Sequence, residues 1–96
     1  MEFEWDENKN AINKDKHSVD FEYVIKIFDD ANKIIVESPQ NNELRFLIIG
    51  KILSIIYAVV YTIRHSKTRI ISARIASKEE RKQYNENLIK GNENNK

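Results

Sequence analysis

The sequence predicts a single α+β domain with two N-terminal helices, an antiparallel four-stranded meander sheet and a C-terminal helix. The 96 residues suffice for one modest core, and helical spacing of apolar residues gives way to β-branched and aromatic runs after Asn32. The loops between these runs are too short for crossover helices, so neighbouring strands should pair antiparallel. We expect the domain to span residues 1–88, followed by a frayed, Asn-rich tail at residues 89–96.

Helical signals occupy the first thirty residues. Asp6 is a typical N-cap for a helix that runs to about Asp15, after which the pair His17-Ser18 interrupts the pattern. Ser18 is a second candidate N-cap, for a helix that ends near Asp30. The apolar side chains of this second helix recur at i, i+3, i+4 and i+7 and should face the core. They are Phe21, Val24, Ile25 and Phe28.

Four extended segments follow, all rich in Ile, Val, Tyr and Phe. They are Lys33–Glu37, Leu44–Ile52, Ile55–Arg64 and Arg69–Ala76. A capping box comes next, in which the side chains of Ser77 and Glu80 each accept from the other residue's backbone N–H. This box predicts the C-terminal helix, which should continue to about Leu88.

The residue types present exclude several kinds of site. The chain has no Cys, which rules out disulfides and sulfur-ligated zinc and favours a reducing compartment. His17 and His65 lie 48 residues apart without acidic neighbours at metal-ligand spacing, so we expect neither a metal nor another cofactor. No apolar run is long enough for a membrane span, and the acidic start is not typical of a signal peptide. A cytoplasmic protein is expected.

Charge is divided unevenly along a chain whose formal net charge is only +1. Residues 1–43 carry 5 basic and 11 acidic side chains, whereas residues 44–96 carry 11 basic and 4 acidic ones, so the halves carry −6 and +7. All five arginines lie in the second half: Arg45, Arg64, Arg69, Arg74 and Arg81. Because a guanidinium presents a planar fork that matches phosphate, this half is a candidate for RNA binding. The alternative is a polar face that forms salt bridges with the acidic helices.

Strand alternation predicts which arginines share a face of the sheet, because side chains at i and i+2 lie on the same side. Pairing of the last two strands through the loop at His65 places four side chains on one polar face: Thr62, Arg64, Ser72 and Arg74. Arg69 has the opposite parity to Arg74 and is expected on the other side. A basic face beside the last helix would cradle a phosphodiester with a base stacked next to it.

The most specific motif is the segment Arg69-Ile70-Ile71-Ser72-Ala73-Arg74, preceded by Thr62-Ile63-Arg64. Further matching segments are Phe3-Glu4-Trp5-Asp6, Asn13, Lys16-His17, Phe21-Glu22, Glu43 with Arg45, Ile49-Gly50, Ile75-Ala76, Glu80-Arg81 and Tyr84. With these segments, residues 3 to about 84 resemble the BrnT toxins of bacterial type II toxin–antitoxin pairs. The chain departs from that family at Ser18, where Gly usually follows Lys-His, and at Leu53-Ser54, where the family has a Gly-containing turn.

The resemblance implies a RelE-like fold, in which two helices pack on a four-stranded antiparallel sheet that a C-terminal helix follows. It also implies a ribonuclease toxin that arrests growth by cutting RNA. Its implied partners are RNA and a BrnA-type antitoxin. It would form a hetero-oligomer with the antitoxin, and it would contact operator DNA only through the antitoxin. The alternative is a non-catalytic domain of toxin-like fold that binds RNA or an antitoxin.

Cleavage of RNA without a metal requires side chains that remove the 2′-OH proton, stabilise the phosphorane and protonate the leaving 5′-oxygen. The resemblance implies that arginines and lysines hold the phosphate. Arg64 and Arg74 are the candidates for phosphorane stabilisation, because both match the family motif and lie on the predicted polar face. The other three arginines, Arg45, Arg69 and Arg81, are candidates for RNA binding.

Four more side chains are candidates for the catalytic acid or base: His17, Glu43, Lys51 and Tyr84. His17 suits proton transfer near neutral pH, but a His before a helix N-cap can equally be structural. Glu43 could instead support Arg45 in an ion pair, and Lys51 could be a solvated strand residue. Tyr84 could stack on a base or cover the core with its ring.

Overall fold

The computed structural model describes residues 1–40 and 42–94, with side chains described up to residue 90. The strands are β1 (Phe3–Glu4), β2 (Ile34–Gln40), β3 (Glu43–Ile52), β4 (Ile55–Arg64) and β5 (Lys67–Ile75). The α-helices are α1 (Glu7–His17), α2 (Phe21–Val24) and α3 (Lys78–Asn94), and a 3-10 turn at Ile25–Asp29 continues α2. Within this part of the chain, no helix is long and apolar enough to cross a bilayer.

All five strands form one mixed sheet in the order β1-β5-β4-β3-β2. Strands β2 to β5 pair antiparallel, whereas β1 pairs parallel to β5, with Phe3 opposite Thr68 and Glu4 opposite Arg69. The prediction of an antiparallel four-stranded sheet is therefore wrong, and so is the RelE-like arrangement built on it. Two residues are too few for an alternation signal, so β1 arises only from its tertiary contact with β5.

The prediction of a second α-helix that ends near Asp30 is also wrong. Helix α2 has only four residues, and the chain then continues as the 3-10 turn. Its N-cap is Asp20, whose side chain accepts from the Glu22 N–H, while Ser18 ends α1 with a φ of 59°. Because a 3-10 helix has three residues per turn, its side chains point in different directions from those of an α-helix. As a result, Ile27 is fully buried while Ile25 stays partly exposed. The fold thus has one main N-terminal helix.

The last helix begins as predicted and ends later. Glu80 accepts from the Ser77 N–H at 2.8 Å and donates its own N–H to the Ser77 hydroxyl at 3.2 Å, which confirms the capping box. The helix continues through Asn94 rather than ending near Leu88. Residues 95 and 96 of the predicted tail lie outside the described residues.

The two faces of the sheet have different covers. On the first, which we call the N-helix face, α2 and the 3-10 turn bury side chains from three strands: Ile48, Val59, Tyr61, Ile70 and Ala73. On the second, which we call the arginine face, α3 covers only one end. The contacts there join Tyr84 to Ile49, Ile56 and Ala58. The opposite end of the arginine face holds Arg45 and Thr62.

A β-bulge in β5 alters the alternation of its side chains. Val60 on β4 pairs with Ser72 on β5. The next residue, Tyr61, pairs with Ile70, so Ile71 has no partner on β4. One extra residue moves every side chain on the N-terminal side of the bulge to the opposite face.

The bulge brings Arg69 onto the arginine face. Arg69 lies opposite Thr62, and Arg74 lies opposite Ala58 on the same side of β4. The prediction that Arg69 faces away from Arg74 is therefore wrong. The prediction of one polar face is confirmed for its four members: Thr62, Arg64, Ser72 and Arg74.

Helix α1 covers the outer edge of β5 beyond β1. The buried side-chain amide of Asn13 accepts from the Ala73 N–H at 3.1 Å and donates to the Val19 carbonyl at 2.9 Å. Asn10, one turn earlier, accepts from the Phe21 N–H at 3.0 Å. These two amides join α1 to the sheet edge and to the start of α2, next to the bulge.

We predict that Asn13→Ala lowers the free energy of unfolding by about 2–3 kcal/mol, because the buried N–H of Ala73 and the carbonyl of Val19 lose their partner. Asn8→Ala changes an exposed side chain of the same helix and should cost less than about 0.5 kcal/mol. Urea unfolding of both variants measures the difference. Equal losses would show that the Asn13 amide does not hold the edge.

Candidate functional site

Three arginines from three strands meet at the end of the arginine face opposite to α3. Arg45 on β3 and Arg69 on β5 flank Thr62 on β4 in the strand register. Arg64 follows two residues later on the same face. From the spacing of strands and of alternate residues, the three Cα atoms lie within about 10 Å of one another. We call Arg45, Arg64 and Arg69 the arginine cluster.

Two carboxylates hold this cluster. Glu43 Oε1 accepts from Arg64 Nε at 2.9 Å and from Nη2 at 2.7 Å, and Glu43 Oε2 accepts from Arg45 Nε at 3.2 Å. Glu4 on β1 accepts from Arg69 Nη1 at 2.7 Å. Three guanidiniums against two carboxylates leave a net positive charge. The Arg64 side chain is 48% exposed, against 29% for Arg45 and 25% for Arg69, so Arg64 is the member most open to a ligand.

Glu43 is held in its ionised form by its partners. The hydrogen bonds from Arg64 are the main cause that lowers the pKa of Glu43; desolvation opposes them, and Arg45 adds to them. A phosphate that took over the Arg64 fork would remove these bonds and return the pKa of Glu43 toward its ordinary value. A carboxylate next to a bound phosphate can then accept a proton from a substrate hydroxyl.

Arg74 belongs to a separate group at the start of α3. Its Nη1 and Nη2 donate to the two Glu80 oxygens at 2.6 and 3.0 Å. Arg81 Nη1 donates to the Ala76 carbonyl at 2.6 Å. Arg74 is 41% exposed, and Glu80 is 13% exposed, so the pair is partly shielded from water.

The structure does not bring Arg64 and Arg74 together. Arg74 lies opposite Ala58, and Ala58 precedes Arg64 by six residues on β4. At about 3.4 Å per residue, the separation along the strand is about 20 Å. Each arginine forms an ion pair with a different carboxylate, and the two side chains occupy separate positions on the surface.

His17 and Lys51 lie away from the arginine cluster. His17 ends α1, is half-buried, and lines a shallow cleft of about 210 Å³ that also contains Lys16 and Ser72. Lys51 is exposed at the far end of β3, six residues from Arg45. Neither side chain is positioned beside Arg64.

Tyr84 lies in the core rather than on the surface. The residue is 2% exposed, and its hydroxyl donates to Asp30 Oδ2 at 2.6 Å. The same oxygen accepts from the Lys51 N–H at 2.8 Å, so Asp30 ties α3 to β3. Burial, together with the bond to the Asp30 carboxylate, raises the pKa of Tyr84 well above its ordinary range.

Two residues near the cluster escaped the sequence reasoning. Glu4 supports Arg69 across the parallel β1–β5 pair, which no sequence pattern predicted. The sequence suggests His65 only as a metal ligand, yet it follows Arg64 directly and is exposed in the turn between β4 and β5. His65 and Ser66 both have positive φ, 51° and 66°, as in the type I′ hairpin turn that Asn-Gly prefers. Across residues 1–40 and 42–94, no group of three or more His, Asp or Glu is placed to hold a metal ion.

A family model described as "Ribonuclease toxin, BrnT, of type II toxin-antitoxin system" matches residues 5–80. The chain belongs to the BrnT family. The predicted resemblance is thereby confirmed, and the matched segment contains Glu43 and all three members of the arginine cluster. A search among curated proteins found no match. Membership identifies a ribonuclease toxin with RNA as its target and an antitoxin protein as its partner.

In this BrnT-family chain, Glu80 should make stability depend on acid pH. Hydrogen bonds from Arg74, ahead of those from Ser77, lower the pKa of Glu80 to about 2 despite desolvation. Because the folded-state pKa lies below the ordinary value of 4.5, the contribution of Glu80 is present above pH 4.5 and is lost as the pH falls toward 2. Over this window, urea unfolding should show a steeper loss of stability for the wild type than for Glu80→Gln. Equal losses of stability in the wild type and in Glu80→Gln would contradict the ion pair. Glu86→Gln, an exposed change on α3, is the control.

Tyr84→Phe should reduce stability and leave the activity of the folded toxin unchanged. Loss of a hydrogen bond to an ionised acceptor should lower the free energy of unfolding by about 1.5–3 kcal/mol. The rate of RNA cleavage per folded molecule, measured well below the unfolding transition, should stay within about twofold of wild type. If the folded variant cleaved RNA about 100-fold more slowly than the wild type, Tyr84 would have a catalytic role after all.

Proposed function

We propose that this toxin is an endoribonuclease that cleaves RNA at the arginine cluster without a metal ion, and that cleavage arrests growth. The observation that carries the proposal is the shared carboxylate of Glu43, which two guanidiniums hold at the open end of the arginine face. A phosphodiester can accept from the same guanidinium through two oxygens, whereas Glu43 offers Arg64 a single oxygen, so RNA can replace the carboxylate on Arg64. The guanidiniums supply the positive charge that a metal ion supplies in other nucleases.

In the proposed reaction, Glu43 accepts the proton of the 2′-OH as the 2′-oxygen forms its bond to phosphorus. Arg64 and Arg45 stabilise the additional negative charge of the phosphorane. The bond from phosphorus to the 5′-oxygen then breaks, and His65, exposed beside Arg64, donates a proton to that oxygen. The products are a 2′,3′-cyclic phosphate and a 5′-hydroxyl end.

The remaining arginines are proposed to bind the flanking strand. Arg69 adjoins Arg45 across Thr62, and Arg74 lies about 20 Å further along the same face. A line of cations that follows one face suits several phosphates of a single strand, and it would make binding strongly dependent on salt. Arg81, at the start of α3, would extend this line.

We further propose that the antitoxin is of the BrnA type and forms a hetero-oligomer with the toxin in the cytoplasm. Operator DNA would be contacted through the antitoxin alone. The family match supports an antitoxin partner and a toxin that acts on RNA.

Cleavage of a defined RNA by the purified toxin, in buffer with EDTA, tests the proposal. Arg64→Ala and Glu43→Gln should each lower the rate by about 100-fold or more, and His65→Gln by at least about tenfold. Lys82→Ala, an exposed change on α3, should cleave as the wild type does. Loss of wild-type cleavage in EDTA would contradict metal independence. RNA binding without cleavage, together with no growth arrest on expression, would favour the non-catalytic alternative.

A further inference from the structure

A cleft of about 210 Å³ lies between α1 and β5. Its lining residues on α1 recur at i, i+3, i+4, i+7 and i+8, so they share one side of the helix. They are Lys9, Ile12, Asn13, Lys16 and His17. The opposite wall is the bulge in β5, which contributes Ile71 and Ser72. We call this space the α1 cleft.

The α1 cleft borders the arginine face between its two groups of arginines. Ser72 belongs to that face, follows Arg69 by three residues and precedes Arg74 by two. At about 3.4 Å per residue, the Cα atom of Ser72 lies about 10 Å from that of Arg69 and about 7 Å from that of Arg74 along β5. A nucleic-acid strand that runs from the arginine cluster toward Arg74 therefore passes the cleft.

The charge of the α1 cleft is positive. Its lining includes Lys9 and Lys16 but no Asp or Glu. Both lysines are exposed, and neither forms a salt bridge with a carboxylate in the part of the chain that the structure describes. Every guanidinium of the arginine cluster, by contrast, already holds a carboxylate. An anion can thus bind to the lysines of the cleft without displacing an acidic partner.

The middle of the α1 cleft is apolar. Ile12 lies between the two lysines on α1 and is 66% exposed. Ile71 faces the cleft from the bulge and is partly exposed, and the hydroxyl of the neighbouring Ser72 can donate or accept a hydrogen bond. A nucleotide combines a flat base with a charged phosphate, so the apolar middle and the cationic rim match its two parts.

We infer that the α1 cleft binds one nucleotide of the RNA substrate, on the stretch of strand between the arginine cluster and Arg74. Lys9 and Lys16 hold its phosphate, and its base or ribose lies against Ile12 and Ile71. This inference rests on the proposed function, because it takes the arginine face as the path of the RNA. The position of the cleft beside that face favours RNA over an acidic protein segment, since one strand can contact both surfaces.

The test is a titration of the full-length, 15N-labelled toxin with an RNA of about eight nucleotides whose 2′-hydroxyls are methylated. The backbone N–H signals of Ile71 and Ser72 should shift as the RNA binds. The dissociation constant is then measured for the wild type and for variants at several salt concentrations.

Lys9→Ala/Lys16→Ala should weaken binding by at least about fivefold. It should also reduce the dependence of log K on log salt by about 0.7 to 1.4, the change for one or two phosphate contacts on a single strand. Ile12→Gln should weaken binding by about threefold without altering the salt dependence. Lys14→Ala/Lys26→Ala removes two exposed lysines that do not line the cleft, and it should stay within about twofold of wild type.

The NMR signals separate this inference from the proposed function. Unchanged signals of Ile71 and Ser72, or wild-type affinity and salt dependence in Lys9→Ala/Lys16→Ala, would overturn the α1 cleft as an RNA site. Shifts at Arg45 and Arg64 would still support the proposed active site in that case. Shifts at Ile71 and Ser72 without a response at Arg64 would refute the active site and keep the cleft as an RNA site. Weaker binding of the antitoxin by the lysine variant, with RNA affinity unchanged, would assign the cleft to the protein partner and overturn the inference.

Discussion

One extra residue in β5 determines the composition of the arginine face. Ile71 has no partner on β4, and its insertion moves Arg69 to the side that carries Arg64, Ser72 and Arg74. The Asn13 amide fixes the strand edge two residues beyond, through the Ala73 N–H. Without the bulge, Arg69 would point toward the apolar core, and Glu4 could not reach it. The arginine cluster depends on this local break in the strand period.

The carboxylates of the arginine face orient the arginines more than they stabilise the fold. Partly exposed ion pairs contribute little to stability, because both side chains lose conformational freedom and water screens their attraction. Glu43 nevertheless fixes the planes of two guanidiniums, and a preorganised fork loses less entropy when phosphate replaces the carboxylate. The acidic partners come from β1, β3 and the first turn of α3, not from the N-terminal helices as the charge pattern had indicated. Glu22 and Asp29, on α2 and the 3-10 turn, stay exposed.

Local chemistry made part of this molecule predictable. Asp6 caps α1, Ser77 and Glu80 cap α3, and β4 has its predicted bounds, because each feature depends on neighbouring residues. The features that escaped prediction depend on long-range contacts. They are the parallel pairing of β1, the 3-10 turn, the bulge at Ile71 and the hydrogen bond from Tyr84 to Asp30. The concentration of the arginines in the second half of the chain was visible in the sequence, but their division into two groups required the register.

The most direct test of the arginine cluster is an NMR titration of the 15N-labelled toxin with a short RNA whose 2′-hydroxyls are methylated, so that it binds without being cleaved. We predict that the Nε–Hε signals of Arg45 and Arg64, which face Glu43, shift first and saturate together. The signal of Arg74 should respond only to RNA long enough to span about 20 Å along the strand. Shifts confined to Arg74 and Arg81, with Arg45 and Arg64 unchanged, would show that RNA does not bind at the arginine cluster.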